Sequence, residues 1–235
     1  MKAARRLLSW TGLDASDAAV FGLGLGFAVS YENGRLSDCL PEHLIIMNTA
    51  RTLGIICEEF GTVSREKALQ YLKEHLGRET PVAVRFKGEM IALTGIEGAG
   101  AASGESIIPW EDIEEGIFQG EGPFKAYLYT YKKTKHIPPL GIAGRKALSE
   151  IARRFLFPDK PGRGIKASGM LRGDEKPLWA HEPAIGHKLL ADFLEEMGRP
   201  ESAHFRGIAE KLPSASEKEA GALISEERSI FSGLL

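Results

Sequence analysis

Apolar residues recur at helical spacing in two well-defined parts of the first half of the chain. Residues 3–11 predict a short helix that ends at Gly12. A clearer helix follows Ser64, a residue type that caps helix starts, and Glu66 adds an acidic residue to its first turn. The apolar positions of this second helix are Ala68, Leu69, Leu72 and Leu76.

Strand-like patterns fill most of the rest of the first half. The predicted strands are residues 27–32, 43–48, 81–86, 89–96 and 124–131. Asn33-Gly34 predicts a turn after the first of these strands, and Lys87-Gly88 predicts a hairpin turn. We expect the glycine-rich residues 97–104 to form a flexible loop.

The pattern changes around residues 137–139, because helical spacing dominates from Ala143 onward and strand-like alternation is not evident there. The best-defined of these helices has one apolar face, made of Leu189, Leu190, Phe193, Leu194 and Met197. The sequence therefore predicts an α+β domain over 1–136 and an all-helical domain over 137–235. The short connection between them predicts that the two domains pack together.

Composition and charge exclude several classes of protein. The chain has 235 residues, 43% of them hydrophobic, and a formal net charge of -2, which gives no reason to expect nucleic-acid binding. Apolar stretches are too short to span a membrane, and the start of the chain does not resemble a signal peptide. The 2 cysteines are too few for a disulfide framework. We expect a cytoplasmic protein, and the sequence leaves a homo-oligomer open.

Three glycines at alternate positions, Gly22, Gly24 and Gly26, superficially resemble a dinucleotide-binding loop. That loop lies between a strand and a helix, whereas these glycines precede a strand. We therefore interpret them as a structural corner against the central sheet. Residues 161–169 are also glycine-rich but lack the ending of a phosphate-binding loop, so we expect a flexible surface connection there.

Several segments together resemble the butirosin biosynthesis protein H family. The matching motifs are L-L-S-W-T-G (7–12), the glycine segment 16–31, R-E-T-P-V-A-V (78–84), I-A-L-T-G-I (91–96) and the helical segment 182–197. The resemblance implies a papain-like fold, resembling a cysteine protease, with an N-terminal helix and a mixed sheet, followed by a helical domain. It also implies similarity to cysteine transferases that move an aminoacyl group from an acyl carrier protein to an aminoglycoside amine.

The chemistry implied by this resemblance needs a thiolate at a helix N-terminus and a histidine that activates it. In the family, the cysteine would fall immediately before Met1. The position of the histidine is occupied by Glu89 and Met90, and the third catalytic position has no clear match within 107–112. No catalytic residue is therefore carried over to this chain.

The remaining cysteines and histidines form no recognised motif. Cys39 and His43 are four positions apart and could form a nucleophile pair, whereas Cys57 lies in an apolar run and is typical of a core residue. Cys39, His43, His181 and His187 lack the spacing of metal ligands. We expect neither a metal site nor a cofactor.

Four residues are candidates for lining a cleft at the family's active-site position: Trp10, Tyr31, Glu89 and Trp110. A purely structural role in the core is the alternative for the aromatic residues. The basic residues Lys125, Lys132, Lys133 and Lys135 could form a docking face for an acidic acyl carrier protein, or simply a solvated strand end.

Three functional hypotheses follow. The first is a degenerate papain-like protein of the butirosin H type that binds a small molecule, an acyl group or a partner without catalysis. The second is an active acyl or aminoacyl transferase whose true start lies upstream of Met1. The third is an amidase-like hydrolase that uses Cys39. The binding hypothesis predicts an open cleft between the first helix and the strand that begins at Glu89.

Overall fold

The computed structural model describes residues 1–120 and 122–235. Helices account for 47% of the chain and strands for 21%, in several sheets, which confirms the predicted α+β class. The chain forms two compact units. The first contains Met1–Val20 and Thr49–Ile137, and the second contains Phe21–Asn48 and Pro138–Leu235. Among the described residues, helices long and apolar enough to cross a membrane are absent.

The first unit is built around a four-stranded antiparallel sheet. Its elements are α1 (Lys2–Trp10), β3 (Ile56–Thr62), α4 (Arg65–Leu76), β4 (Val82–Phe86), β5 (Glu89–Leu93), β6 (Gly95–Glu97), β7 (Gly100–Ser103), β8 (Ser106–Pro109), α5 (Trp110–Ile117) and β9 (Ala126–Lys132). The sheet order is β3-β9-β4-β5. The side chain of Ser64 accepts a hydrogen bond from the Lys67 amide at 3.2 Å, which confirms the predicted helix cap.

The second unit combines a short sheet with helices. Its elements are β1 (Phe27–Glu32), β2 (Arg35–Cys39), α6 (Leu140–Leu156), α7 (Ile165–Ser168), β10 (Leu178–Trp179), α8 (Ile185–Glu196), α9 (Ser202–Lys211), a 3₁₀ turn (Leu212–Ser214) and α10 (Glu217–Gly233). Two helices, α2 (Asp17–Leu23) and α3 (Glu42–Leu53), contain residues of both units.

The β1–β2 hairpin explains why residues 21–48 belong to the second unit, although the sequence places them in a domain over 1–136. Strand β10 pairs with β2 in parallel, so the hairpin shares its sheet with a segment from the C-terminal part. The sequence predicts that this part is all-helical, but β10 shows that it also contains a short strand. The two residues of β10 are too few to show an alternation pattern.

The segment 161–169 is an ordered neighbour of β1 and not the flexible connection that its glycines predict. The amide of Tyr31 donates to the Gly162 carbonyl at 2.8 Å, and the amide of Gly164 donates to the Val29 carbonyl at 2.8 Å. Gly164 has a φ of 51° and its α-carbon lies against the Phe155 carbonyl, so a side chain there would clash.

Two predictions for local structure are wrong. Residues 43–48 form part of α3 and not a strand, because their continuous apolar run fits either structure and Ile45, Ile46, Ala50 and Leu53 are buried at spacings that suit a helix. Residues 97–104 contribute to the β6–β7–β8 meander and not to a flexible loop. The φ angles of Gly98 (53°) and Gly104 (64°) allow its two tight turns.

The glycine corner, Gly22, Gly24 and Gly26, connects α2 to β1 and is completely buried. A side chain at Gly22 would overlap the Phe193 ring of α8, so this glycine permits close packing. The left-handed residue of the corner is Leu25, with a φ of 53°, and not a glycine. The corner therefore serves packing within the second unit.

Candidate functional site

The three predicted cleft residues of the first unit have separate surroundings. The ammonium of Lys133 lies 4.9 Å from the centre of the Trp10 ring. The ammonium of Lys73 lies 5.1 Å from the centre of the Trp110 ring. Glu89 is exposed at the start of β5. Each tryptophan is thus half-buried under a lysine, an arrangement typical of a surface cation–π contact.

The fourth predicted cleft residue, Tyr31, belongs to the second unit. Its hydroxyl donates to the Glu217 carboxylate at 2.7 Å, and this carboxylate also accepts from the Gly173 amide at 3.0 Å. Because Glu217 begins α10, these bonds attach the start of that helix to β1. The Tyr31 hydroxyl is thus occupied by a structural hydrogen bond within the second unit.

Helix α1 packs directly against β5, where the sequence predicts a cleft. The apolar face of α1, composed of Ala3, Ala4, Leu7 and Leu8, is at most 1% exposed. Such close packing is typical of a core. The cavity described below is lined by none of the four predicted cleft residues.

Both cysteine thiols are half-buried and disfavour ionisation. Burial, together with the charge of Asp38, raises the pKa of Cys39 to about 11. Burial, together with the charges of Glu59 and Glu58, raises the pKa of Cys57 to about 12. A nucleophilic cysteine needs the opposite shift, because the thiolate is the reactive form. Within the described residues, His, Cys, Asp and Glu form no group that could hold a metal.

The four lysines proposed as a docking face are exposed but have different neighbours. The ammonium of Lys132 forms a 2.6 Å ion pair with Glu58, and that of Lys133 lies over a tryptophan ring. Lys125 donates to a backbone carbonyl at 3.3 Å. Lys135 extends from the segment after β9. Three of these ammonium groups therefore have a partner within the first unit.

A cavity of about 980 Å³ lies on one face of the β1–β2 hairpin in the second unit. Small side chains form its floor: Ala28 and Ser30 of β1, and Ser37 and Cys39 of β2. Ser30 and Ser37 lie directly opposite each other across the hairpin. The volume is at the upper end of the range for small-molecule sites.

Two arginines near the end of α6 contribute to the cavity wall. Arg153 and Arg154 both bind the carboxylate of Glu150, each with a guanidinium nitrogen 2.9 Å from an oxygen. These bonds lower the pKa of Glu150 to about 2. One carboxylate therefore holds two cations at the wall, and a positive charge remains.

Charged residues also surround the tip of the hairpin. Arg163 lies 3.3 Å from the Glu32 carboxylate and 3.7 Å from that of Asp159. Arg35 lies opposite Glu32 in the hairpin register and lines the cavity, but within residues 1–120 and 122–235 it has no ion pair. The tip thus offers one guanidinium free for a ligand.

The opposite end of the cavity is apolar. Leu40, Pro41 and Leu44 line it where β2 leads into α3. Phe157, which follows α6, also lines the cavity and is 71% exposed. An apolar wall combined with a few polar groups is characteristic of ligand sites.

A buried ionisable triad lies behind the other face of the same hairpin. The Nδ1 atom of His187 is 2.6 Å from Asp38 Oδ2, and its Nε2 atom is 2.7 Å from Glu227 Oε1. The backbone amide of His187 also donates to Asp38 Oδ2 at 3.0 Å. Gly186 lets α8 approach β2 closely, because a side chain at position 186 would overlap the Asp38 backbone. The triad thereby connects β2, α8 and α10.

The electrostatics of the triad favour a protonated imidazole. Burial alone lowers the pKa of His187, but the carboxylates of Glu227 and Asp38 outweigh it and raise the pKa to about 10. Burial raises the pKa of Glu227, and the neighbouring imidazole opposes that shift. The ring of Phe27 packs edge-on against His187 at 4.9 Å between centroids. One imidazolium thus lies between two carboxyl groups, all three side chains being at most 2% exposed.

The sequence contains no local signal for this triad. Asp38 and His187 are 149 positions apart, and Glu227 is a further 40 positions along the chain. The one available sign is that His187 interrupts the otherwise apolar face of α8, where a buried polar residue needs a partner. The cavity floor is not predicted from the sequence either, because serine and alanine residues do not by themselves indicate a binding site.

Comparison with known proteins leaves the family open: the chain matches no family model and no curated protein.

Proposed function

We propose that this is a papain-like protein of the butirosin H type with a degenerate active site, which binds a small organic anion in the cavity of its second unit. The cavity of about 980 Å³, with its apolar wall and its free guanidinium at Arg35, is the observation that carries the proposal. The family in this proposal rests on the sequence resemblance, and the degenerate site rests on Glu89 and Met90 occupying the position of the family's histidine.

The shape and chemistry of the cavity support a binding role. Its floor carries the hydroxyl of Ser30, which can donate a hydrogen bond to a ligand, whereas the hydroxyl of Ser37 donates to the Cys39 carbonyl. Four arginines and two carboxylates line it, so the lining carries an excess of positive charge. Guanidinium groups bind carboxylates and phosphates through paired hydrogen bonds. A ligand with both an apolar part and an anionic group would satisfy both kinds of wall.

The raised pKa of Cys39 supports a role without thiol chemistry. This cysteine contributes to the cavity floor, yet its pKa of about 11 keeps it a neutral thiol near pH 7. Its neighbour Asp38 adds a negative charge, which disfavours the thiolate further. The amidase hypothesis needs an ionised Cys39.

The test uses anilinonaphthalene sulfonate, an apolar anion that fluoresces when it leaves water. We expect saturable binding of one equivalent to the wild-type protein, measured by fluorescence and by calorimetry. Ser30→Phe would fill the cavity floor and should abolish this binding. Ser225→Phe, on the exposed surface of α10, is the control that should leave it unchanged.

Circular dichroism would establish that both variants fold. Equal binding by a folded Ser30→Phe variant and the wild-type protein would contradict the proposed site.

A further inference from the structure

The charges around the cavity differ in how completely they are neutralised. Arg153 and Arg154 share Glu150, and Arg163 lies between two carboxylates. In the part of the chain that the structure describes, Arg35 alone among the cavity arginines lacks an ion pair. A bound anion would therefore gain most at Arg35, at the hairpin tip, because its charge is not already satisfied.

The apolar residues of the cavity are grouped at the other end of the hairpin. Leu40, Pro41 and Leu44 follow β2, and Leu44 remains 36% exposed. These side chains would lose water contact if a ligand covered them, which favours an apolar group at this end.

The hairpin register sets the distance between the two ends. The pair Glu32–Arg35 lies at the tip, and the pair Phe27–Cys39 lies at the other end. Five residue steps along β1, or four along β2, separate them, which corresponds to about 13–16 Å. A single compact ion cannot contact both ends.

We propose that the cavity takes an elongated amphipathic anion, whose terminal anionic group binds Arg35 and whose straight apolar chain extends along the serine floor towards Leu44. This proposal rests on the proposed function and adds the ligand's class and direction. The anionic group is a carboxylate or a phosphate monoester, since guanidinium groups bind both.

The experiment measures how well octanoate, butyrate, octanol and octyl phosphate displace anilinonaphthalene sulfonate from the protein. Octanoate should displace the probe at a concentration at least about ten-fold lower than butyrate, because it buries four more methylene groups. It should also outperform octanol, which lacks the charge. Comparing octanoate with octyl phosphate identifies the preferred anionic group.

Two variants test the direction of the ligand. Arg35→Gln should weaken octanoate about ten-fold and leave octanol unchanged, because it removes a charged hydrogen-bond donor. Arg228→Gln, at an exposed arginine of α10, is the matched control. Leu44→Asp should weaken octanoate and leave butyrate unchanged, and an aspartate suits the first turn of α3.

The outcomes separate this proposal from the proposed function. If the probe binds at the cavity but octanoate and octyl phosphate do not displace it, the ligand class is wrong and the binding site stands. If Arg154→Gln and not Arg35→Gln removes the preference for octanoate over octanol, the direction is wrong. If the probe itself does not bind, the proposed function fails as well.

Discussion

The two faces of the β1–β2 hairpin carry different chemistry, although their residues alternate along the same two strands. One face is buried and includes Asp38, whose carboxylate is ion-paired to His187. The other face presents Ser30 and Ser37 to the cavity. The charged residue is thus inside the core, and small polar residues line the site that can accept a ligand. Residue type alone does not distinguish a structural role from a binding role.

The largest expected difference is between substitutions at Asp38 and Ser37, which are neighbours in β2 but lie on opposite faces of the hairpin. Asp38→Ala should lower the free energy of unfolding by about 3–5 kcal/mol, because it leaves a buried imidazolium and a backbone amide without their acceptor. Ser37→Ala should cost about 1 kcal/mol, because it removes one neutral hydrogen bond to the Cys39 carbonyl, 3.1 Å long. Urea unfolding of the two variants gives both values. Equal losses would contradict the contrast between the faces.

A second prediction concerns pH and the buried face. The folded-state pKa of His187, about 10, lies above the value of 6.5 for a free imidazole. The stability that its protonation provides is therefore fully present below about pH 6.5 and is lost as the pH rises through 10. We expect the urea midpoint to fall between pH 6.5 and 10.

The control for this pH dependence is His187→Gln, which retains the lysines, tyrosines and cysteines that also lose protons in this range. The fall in the urea midpoint should be smaller in that variant. Parallel pH profiles for the variant and the wild-type protein would show that His187 does not carry the effect.

A smaller effect is expected at the third member of the triad. Glu227 is fully buried, and burial raises its pKa, so its negative charge is costly in the folded protein. Glu227→Gln should retain an acceptor for His187 Nε2 and cost less than about 2 kcal/mol. Asp38→Asn should cost more, because Asp38 accepts two bonds from His187. The reverse order in urea unfolding would contradict this ranking.

The smallest expected effect concerns the thiol on the cavity face. Because the pKa of Cys39 is about 11, iodoacetamide at pH 7 should label it more slowly than it labels a free cysteine in solution. Mass spectrometry of digested protein measures the rate at Cys39 separately from that at Cys57. Rapid and selective labelling of Cys39 in the folded protein would favour the amidase hypothesis.

Local sequence patterns predict much of the first unit, because its elements follow short-range signals. The helix after Ser64 and the hairpin at Lys87-Gly88 are both confirmed. The strand predicted over 43–48 is wrong because an apolar run has no period that separates a helix from a strand. The confirmed elements depend on caps and turns that involve neighbouring residues.

The candidate site depends on contacts between distant parts of the chain, which local patterns do not encode. The cavity joins β1 and β2 to the end of α6, and the triad joins β2 to α8 and α10. The predicted cleft residues rest on the family resemblance, whose glycine and apolar motifs are spread from residue 7 to residue 197. The butirosin H assignment and the docking role of the lysines remain predictions.

The most direct test of the two-face account is backbone amide mapping by NMR during a titration with anilinonaphthalene sulfonate. We expect the largest shifts at Ser30 and Ser37, and much smaller shifts at Trp10 and Trp110. If the largest shifts occur at Trp10 and Trp110 and none occur at the two serines, the binding site lies in the cleft that the sequence predicts. That result would contradict a binding site on the cavity face of the hairpin.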